Sequence, residues 1–403
     1  MTLPATPFLG LAPFLRKSIA GVPLLPIGQE MMALAESRPD DANLWLNLSI
    51  VMLCLGHRDI ALSIQEQALA LQRIYHLPAA KQPARLRLLM LMAPGDLAAN
   101  TPLECLLENS DIDLDFYYVS GGDEPLSHPI PEHDVLMVAM SEADENRASL
   151  HALERILASW FKPVINAPQH IPSVGRESAS RLLQGAPGLL IPATLHASRD
   201  LLQAIALGNT TLNEAFPDCG YPIILRPVGS HAGRDLAKID SPADIATYLA
   251  HVDEPEFFLS RFIDYRNKDG LFRKFRIALV DGQAFACHMG ISDHWMIHYV
   301  NAGMYENAGK RTEEARFMAD FDAFAQRHRA ALEAIHARTH LDYVCIDCAE
   351  TPDGELLIFE IDHAMVVHAM DPEDLFPYKQ THMRKLQEAM RNFLIGRATG
   401  TLI

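Results

Sequence analysis

Near its end the chain holds two strand-like runs on either side of a turn, and three carboxylates are spaced along them. Tyr343-Val344-Cys345-Ile346-Asp347-Cys348 is followed by Pro352-Asp353-Gly354 and then by Leu356-Leu357-Ile358-Phe359-Glu360-Ile361-Asp362. Asp-Gly between apolar runs is a strong hairpin signal. Glu360 and Asp362 alternate along one run, so their side chains leave the same face of a sheet. Hairpin pairing brings Asp347 alongside them. Carboxylates crowded on one face repel each other and call for a cation. Hard oxygen ligands suit Mg²⁺, with Mn²⁺ as the alternative, usually held by one or two carboxylates together with substrate phosphates. Asp347, Glu360 and Asp362 are therefore the expected metal ligands. The competing reading, an exposed acidic hairpin without metal, is disfavoured by the apolar flanking residues.

Upstream lies a partner for such a metal. Tyr221-Pro222-Ile223-Ile224-Leu225-Arg226-Pro227 reads as a short buried strand that opens on Gly229-Ser230-His231-Ala232-Gly233-Arg234. A strand running into a Gly/Ser turn can aim backbone N–H groups at an anion, and Arg226 adds charge at the strand's end. The loop lacks the spacing of a Walker A loop or a dinucleotide fingerprint. Its weight comes from the carboxylate hairpin that follows it.

The order of these pieces resembles the ATP-grasp superfamily of carboxylate–amine ligases, which includes glutathione synthetase-like enzymes and ribosomal-protein glutamate ligases. The resemblance covers roughly residues 85–395. Val164-Ile165-Asn166-Ala167-Pro168 resembles the strand and turn that close the domain before the grasp, and Ile191-Pro192-Ala193-Thr194 the family's Ile/Val-Pro-x-Thr strand. The resemblance puts Arg176 and Arg226 at the two ATP-binding lysine positions, and Gly229, Ser230, His231 and Gly233 in the phosphate-covering loop. Phe257–Ile263 is similar to the hinge strand that meets adenine, which makes Ser260, Arg261 and Phe262 nucleotide contacts. Arg261 stands where the family usually has Glu, with Asp264 as its substitute for the ribose contact. Phe275–Gly282 is similar to the Arg-x-x-x-Val-x-Gly hairpin, so Arg276 is expected to reach the transferred phosphate. Asp347, Glu360 and Asp362 fall on the metal-binding Asp and the Glu-x-Asn pair.

The departures keep charge. Arginine at both lysine positions replaces a point donor by a planar fork, and Asp362 in place of Asn adds a negative charge to the cation site. The implied activity is ATP-dependent amide or peptide bond formation through an acyl phosphate, with ATP and Mg²⁺ as cofactors. The implied substrates are a small-molecule or peptide carboxylate and an amine. Two alternatives stand beside it: an ATP-grasp kinase acting on a hydroxyl, and a non-catalytic ATP-binding interaction module.

The expected fold class is α/β (α+β), an ATP-grasp fold with a preceding open α/β domain and an N-terminal helical segment. Residues 1–82 form the helical part, 83–170 the α/β domain, and 171–403 the grasp, with subdomains at about 171–255 and 256–403. In the first part, Trp45, Leu48, Met52, Leu55, Ala61, Ile64 and Ala68 lie at helical spacings, with a break at Gly56–Asp59, so 28–76 reads as helix. Trp45, Gly56, Ala61 and Ala68 resemble a single tetratricopeptide unit. Such a unit packs on the catalytic body, on a protein or peptide partner, or on a second copy in a homodimer. Strand-like runs at 86–92, 114–119 and 135–140 alternate with helical ones at 103–108 and 149–161, which implies an open, mostly parallel sheet.

A net charge of −17 argues against general affinity for nucleic acid, and no apolar run reaches the length of a membrane span. Met1–Pro26 has Arg16-Lys17 after its apolar residues, the wrong order for a secretory signal. The six scattered cysteines suit a reduced, cytoplasmic protein. Cys345 and Cys348 are three apart on a strand and point to opposite faces, which disfavours a shared bond or metal.

His288–Tyr299 is dense in histidines, with Asn301-Ala302-Gly303 beyond it. The resemblance places an Asn/Gly loop here, near the acyl phosphate, which makes Asn301 and His298 catalytic candidates beside Arg276. Three readings are open: a zinc site on His288, His294 and His298, a substrate-facing wall, or a packed strand. His363 and His368 follow the metal hairpin and are expected to reach the same cavity for proton transfer.

Overall fold

The computed structural model describes residues 6–230 and 233–401; His231, expected in the phosphate loop, lies outside the described residues. Four helices come first: α1 (Ala12–Ile19), α2 (Leu25–Ser37), α3 (Ala42–Cys54) and α4 (Arg58–Leu71). The helical stretch expected over 28–76 is interrupted again at 38–41, where Asp41 caps α3 by accepting the Leu44 N–H at 3.2 Å. It also ends sooner, because β1 (Ile74–Leu77) is a strand. Leu44 through Met52 are all buried, the mark of a helix enclosed by its neighbours. Inside α3, Asn47 accepts the Leu9 N–H and donates to the Pro7 carbonyl, both at 2.9 Å, so the leading segment is tied down.

The α/β domain adds β2 (Leu86–Met92), α5 (Glu104–Leu107), β3 (Ile112–Tyr118), β4 (Val135–Val138), α6 (Arg147–Leu157) and β5 (Val164–Ile165). Its sheet runs β1-β3-β2-β4-β5, parallel throughout except for the antiparallel edge β1. β2 and β4 are nearly unbroken apolar runs, as strands covered on both faces must be. The helical segment shares this domain's hydrophobic core. Packing on the α/β domain is thus the arrangement the structure shows for it.

Next come α7 (Arg176–Leu183), β6 (Leu189–Leu190), β7 (Leu195–Ser198), α8 (Arg199–Ala206), α9 (Leu212–Ala215), β8 (Ile223–Pro227), β9 (Ala237–Ile239), α10 (Pro242–Leu249) and β10 (Glu256–Arg261). Strands β7-β10-β8-β9 form an antiparallel sheet. One of its faces packs on α8 and α10 to make a separate core around Ile223, Leu225, Phe257, Leu259, Leu202 and Ile245. Residues 191–194, read as strand, instead link β6 to β7. Ser180 on α7 holds this link by donating to the Pro192 carbonyl and accepting the Thr194 N–H. The boundary expected near 255 is displaced past β10, because β10 pairs inside the small sheet.

The last part contains β11 (Phe272–Val280), β12 (Gln283–Ser292), α11 (Ala308–Ala319), α12 (Phe321–Arg327), α13 (Arg329–Thr339), β13 (Tyr343–Glu350), β14 (Leu356–Asp362) and α14 (Lys379–Thr399). The large sheet runs β12-β11-β13-β14-β6. Asn166, fully buried with φ +52°, fastens this sheet to the α/β domain by donating to the Tyr343 carbonyl and accepting its N–H. Among the described residues no helix is long and apolar enough to cross a membrane.

Candidate functional site

The register of the large sheet sets four side chains in one line. His288 pairs with Arg276, Arg276 with Asp347, and Asp347 with Glu360, across β12, β11, β13 and β14. Directly opposed residues share a face, so the row presents imidazole, guanidinium and two carboxylates together. The centre is a bidentate pair: Arg276 donates to the two Asp347 oxygens at 2.8 and 3.0 Å, and to the Val366 carbonyl at 3.0 Å. Lys274 adds a contact at 2.7 Å to Asp347 Oδ2 and donates to the Ile297 carbonyl at 3.2 Å. Asp347 is almost wholly buried. Burial works to raise its pKa, but the Arg276 and Lys274 charges hold the carboxyl well below the usual carboxylate range.

This corrects the expectation of a three-carboxylate metal site. Among the described residues no group of three or more His, Cys, Asp or Glu is arranged to hold a metal ion, which also excludes the zinc reading of His288, His294 and His298. The repulsion inferred from the sequence is real, but the chain answers it with its own cations. Glu360 pairs with Arg176 at the start of α7. Asp362 accepts the Ala364 N–H at 2.9 Å.

The small sheet supplies the opposite wall. Arg226 is opposed to Phe258, and Ser260 and Lys238 are both opposed to Ile224. Alternation puts all of these on the face away from the core of Leu225 and Leu259. Arg226 is buried and fixes the segment after β8: Nε donates to Ser230 Oγ at 3.0 Å, and another N–H donates to the Ser230 carbonyl. Burial first, and then the neighbouring Arg176 charge, push its pKa down to about 10, with Glu360 acting in the opposite sense. Two arginines and a carboxylate from different elements thus feel one another across the cleft. Gly229 takes φ +72°, a backbone conformation suited to glycine, with open space around it.

The other expected nucleotide contacts divide. Ser260 is on the cleft-facing side. Arg261 is one residue out of phase, so it lies on the core-facing side beside Cys219 and leaves the site. Phe262, expected as a nucleotide contact, donates its N–H to the Pro222 carbonyl at 3.0 Å, while its ring meets Trp295 edge-on and Lys238 sits over it. Asp264 is exposed and engaged locally, accepting the Arg266 N–H at 3.1 Å.

The histidine-rich stretch is strand only as far as Ser292. Beyond it the chain turns back over β11 and closes a cavity of about 200 Å³ lined by Lys274, Arg276, His288, His298 and Tyr299. Burial and the Arg276 charge hold the His288 pKa well below its ordinary value. Burial and Lys274 lower that of His298. Asn301 caps the turn, accepting the His298 N–H at 2.9 Å, so its amide oxygen supports His298. His298 also approaches Gly233: a Cβ there would stand 2.5 Å from His298 Nε2. His363 does not reach the cavity. It is fully buried, its Nε2–H donates to the Met140 carbonyl at 2.8 Å, and it seals the seam with the α/β domain. His368 accepts the Met370 N–H at 3.2 Å and does not line the cavity.

Several functional groups were missed from the sequence. Lys274 shares a face with Arg276 two residues on, and alternation alone could have found it. Glu142 reaches in from beyond β4, its carboxyl packed where a Cβ on Gly175 would be only 2.9 Å away. Burial chiefly raises its pKa, and Asp362 and Arg176 both act on it. Behind Tyr299 lies a buried network around Glu314, which accepts from the Met289 N–H and from the Tyr299 and Tyr378 hydroxyls. Lys379 joins it at 2.6 Å from Tyr299 Oη and 3.0 Å from Asp371.

No family model matches the chain. Among solved structures it is similar to a D-alanine–D-alanine ligase from Bacillus anthracis complexed with ATP, at a TM-score of 0.47 and 12% identity over 79% of this chain and 100% of that one. It is also similar to the VanG D-Ala:D-Ser ligase from Enterococcus faecalis, at 0.46 and 14% over 78% and 99%. A RimK domain ATP-grasp protein from Sphaerobacter thermophilus matches at 0.43 and 16% over 77% and 100%. At these scores the likeness reaches no residue of the site, and the chemistry rests on the side chains described above.

Proposed function

We propose that this protein is an ATP-dependent ligase of the ATP-grasp kind, joining a carboxylate to an amine through an acyl phosphate. The observation that carries the reading is the convergence of Arg226 and Arg176 from separate elements on one cleft, where Glu360 offsets part of their mutual repulsion. An added polyanion would relieve that repulsion, and two planar forks suit phosphate oxygens.

ATP would lie between the two sheets, with loop 229–234 over its phosphates and Ser260 and Lys238 on the small-sheet wall. Glu360 and Asp362 fit a divalent cation: their side chains are about one-third exposed, at 35% and 30%, and a pair of carboxylates completed by phosphate oxygens is an ordinary Mg²⁺ environment. Asp347 does not fit, because both of its oxygens already hold Arg276 and Lys274. When bound, Mg²⁺ or Mn²⁺ would neutralise charge on the phosphate oxygens.

In the first step a substrate carboxylate oxygen bonds to the γ-phosphorus as the bond to the ADP oxygen breaks. Arg276 has committed three of its five N–H donors, and the remaining two can hold the transferred group. In the second step the amine nitrogen bonds to the acyl carbon, the C–O bond to phosphate breaks, and the amine's proton leaves to solvent or phosphate. The close approach of Gly233 to His298 would keep water from the acyl phosphate.

A ligase is favoured over a kinase because a carboxylate nucleophile arrives ionised. A hydroxyl needs a general base to take its proton, a requirement that an ionised carboxylate does not have. The test is incubation with ATP, Mg²⁺, a carboxylate library and hydroxylamine. Hydroxamate and free phosphate in equal amounts support the ligase. Phosphate retained on an acceptor makes the protein a kinase, and nucleotide binding with no turnover makes it a binding module.

A further inference from the structure

We infer that Gln65, on α4 of the N-terminal helices, is a positioning residue for the cation site. Acting through two loops of the α/β domain, it holds the end of β14 where Asp362 stands. This rests on the ligase reading, which gives Asp362 to the cation, and goes past it by giving the helical segment a part in that site.

Gln65 is almost wholly buried, and a buried amide must find partners. Both of its ends go to one residue. Oε1 accepts the Gly95 N–H at 2.7 Å, and Nε2 donates to the Gly95 carbonyl at 3.0 Å. Only glycine fits that place: φ is +155°, and a Cβ would stand 2.6 Å from the Ala99 Cβ. Asn100 repeats the device on Ala93, accepting its N–H at 2.6 Å and donating to its carbonyl at 2.8 Å. At the surface Arg58 of α4 donates to Asp96 at 2.9 Å. The turn after β2 is thus gripped by two side-chain amides, one of which belongs to the helical segment.

The place of this turn matters. β3 and β4 flank β2, so the loops after β2 and β4 leave the sheet where its winding reverses, and there α/β sheets open a crevice. The two loops are joined. The Thr101 N–H donates to the Ala139 carbonyl at 2.8 Å, and the Ser141 N–H to the Ala99 carbonyl at 2.9 Å. Between those bonds stands Met140, whose carbonyl accepts from His363 Nε2 at 2.8 Å. His363 directly follows Asp362, and its Nδ1 lies 3.7 Å from Asp362 Oδ1. Each step from Gln65 to His363 is a hydrogen bond or a few residues of chain, and both ends are buried.

No helix or strand holds residues 93–99, so the shape of the turn depends on the groups that grip it. Releasing Gly95 loosens the chain up to Ala99 and Thr101, the residues that hold 139–141. A shift of the Met140 carbonyl moves His363 and the end of β14 with it. None of these bonds involves the small sheet, which carries Arg226. Loss of the Gln65 grip should therefore weaken the cation and spare the nucleotide.

The test is Gln65→Met in the full-length protein, which keeps the length of the side chain and removes both bonds. Mn²⁺ is titrated with a non-hydrolysable ATP analogue present, the analogue is titrated without metal, and amide hydrogen exchange is followed by mass spectrometry. Mn²⁺ affinity should fall at least about fivefold, the order of one hydrogen bond, and metal-free analogue affinity by less than about twofold. Exchange should speed up at 93–101 and also at 139–142. Gln65→Glu keeps an acceptor for the Gly95 N–H and should fall between wild type and Gln65→Met. Unchanged Mn²⁺ affinity overturns the inference, as does faster exchange confined to 93–101. An equal loss in both titrations, the sign of general damage, overturns it too. If Gln65→Met does not fold, Arg58→Ala takes its place, since that ion pair is exposed. The same spread of exchange to 139–142 is expected there, and its absence overturns the inference. A wild-type protein that binds no analogue overturns the ligase reading instead, and the exchange data still decide whether Gln65 holds 139–142.

Discussion

Arg276 and Asp347 face each other across neighbouring strands and share two hydrogen bonds, at 2.8 and 3.0 Å, at the middle of a row that spans four strands. A carboxylate that looked like a metal ligand is thereby an internal counter-ion for two cations. Asp347→Asn should therefore act on stability first, leaving Arg276 and Lys274 without their charge partner. Breaking a buried pair from one side costs roughly 3–5 kcal/mol. Denaturant unfolding of the variant reads this directly, and a loss below about 1 kcal/mol would return Asp347 to the metal.

Glu360 behaves oppositely. It is partly exposed, and its pairing with Arg176 is open to solvent screening. Glu360→Gln should change stability by no more than about 1 kcal/mol while weakening the Mn²⁺–nucleotide complex about tenfold, as expected for losing one of two carboxylate ligands. Calorimetric titration of Mn²⁺ with the nucleotide present checks it. Unchanged affinity would remove Glu360 from the cation site.

Arg226 both carries charge and pins Ser230. Arg226→Ala should lower nucleotide affinity at least about tenfold, the usual order for a charge-assisted contact. Arg226→Lys should recover the charge but not both bonds to Ser230, and so fall between the two. Fluorescent-nucleotide titration distinguishes these cases. An alanine variant that binds normally would show that this strand does not face ATP.

The contact between Gly233 and His298 predicts non-additivity. Alanine at 233 meets a φ of +72° and places its Cβ 2.5 Å from His298 Nε2. The backbone part costs about 1–2 kcal/mol, and the clash adds to it. His298→Ala removes only the clash, so the double variant should bind nucleotide better than Gly233→Ala alone, with a coupling of about 0.5–3 kcal/mol. Strict additivity would mean that the loop and the histidine turn do not touch.

Glu104 gives a pH signature away from the site. Its carboxyl is buried, Oε1 accepts the Leu11 N–H at 3.3 Å, and Oε2 has no hydrogen-bond partner. Burial raises the pKa from 4.5 to about 7. The folded state holds this proton more tightly than the unfolded chain, so the contribution is complete below about pH 4.5 and is lost as pH rises through about 7. Glu104→Gln keeps the acceptor for Leu11 and cannot ionise. It should be the more stable protein at pH 8, by up to about 3 kcal/mol, and lose that advantage by pH 4.5. Parallel melts at the two pH values decide it.

The sequence by itself determined the hairpin, its face and much of the strand order. Alternation put Glu360 and Asp362 on one side, but the register from the turn at Gly354 would set Asp347 opposite Phe359, and a bulge after Asp347 shifts it to Glu360. The apolar runs of the α/β domain were legible for the same reason: a strand covered on both faces has no room for polar residues. Arg176 and Arg226 were found through a family's order of elements rather than through spacing. The misreadings arose where one residue changes a side chain's direction, as for Arg261, or where a local signal was outweighed by pairing, as at 191–194.

Tertiary structure alone decided what balances each charge. Arg176 meets a carboxylate 184 positions away, and Arg276 one 71 positions away. His363, expected at the substrate, is spent on a carbonyl 223 residues earlier. Backbone periodicity fixes which way a side chain points over a few residues, because it follows from local dihedral angles. Which charge it meets there depends on how separate layers dock, and that is set by the burial of surfaces distant in the chain.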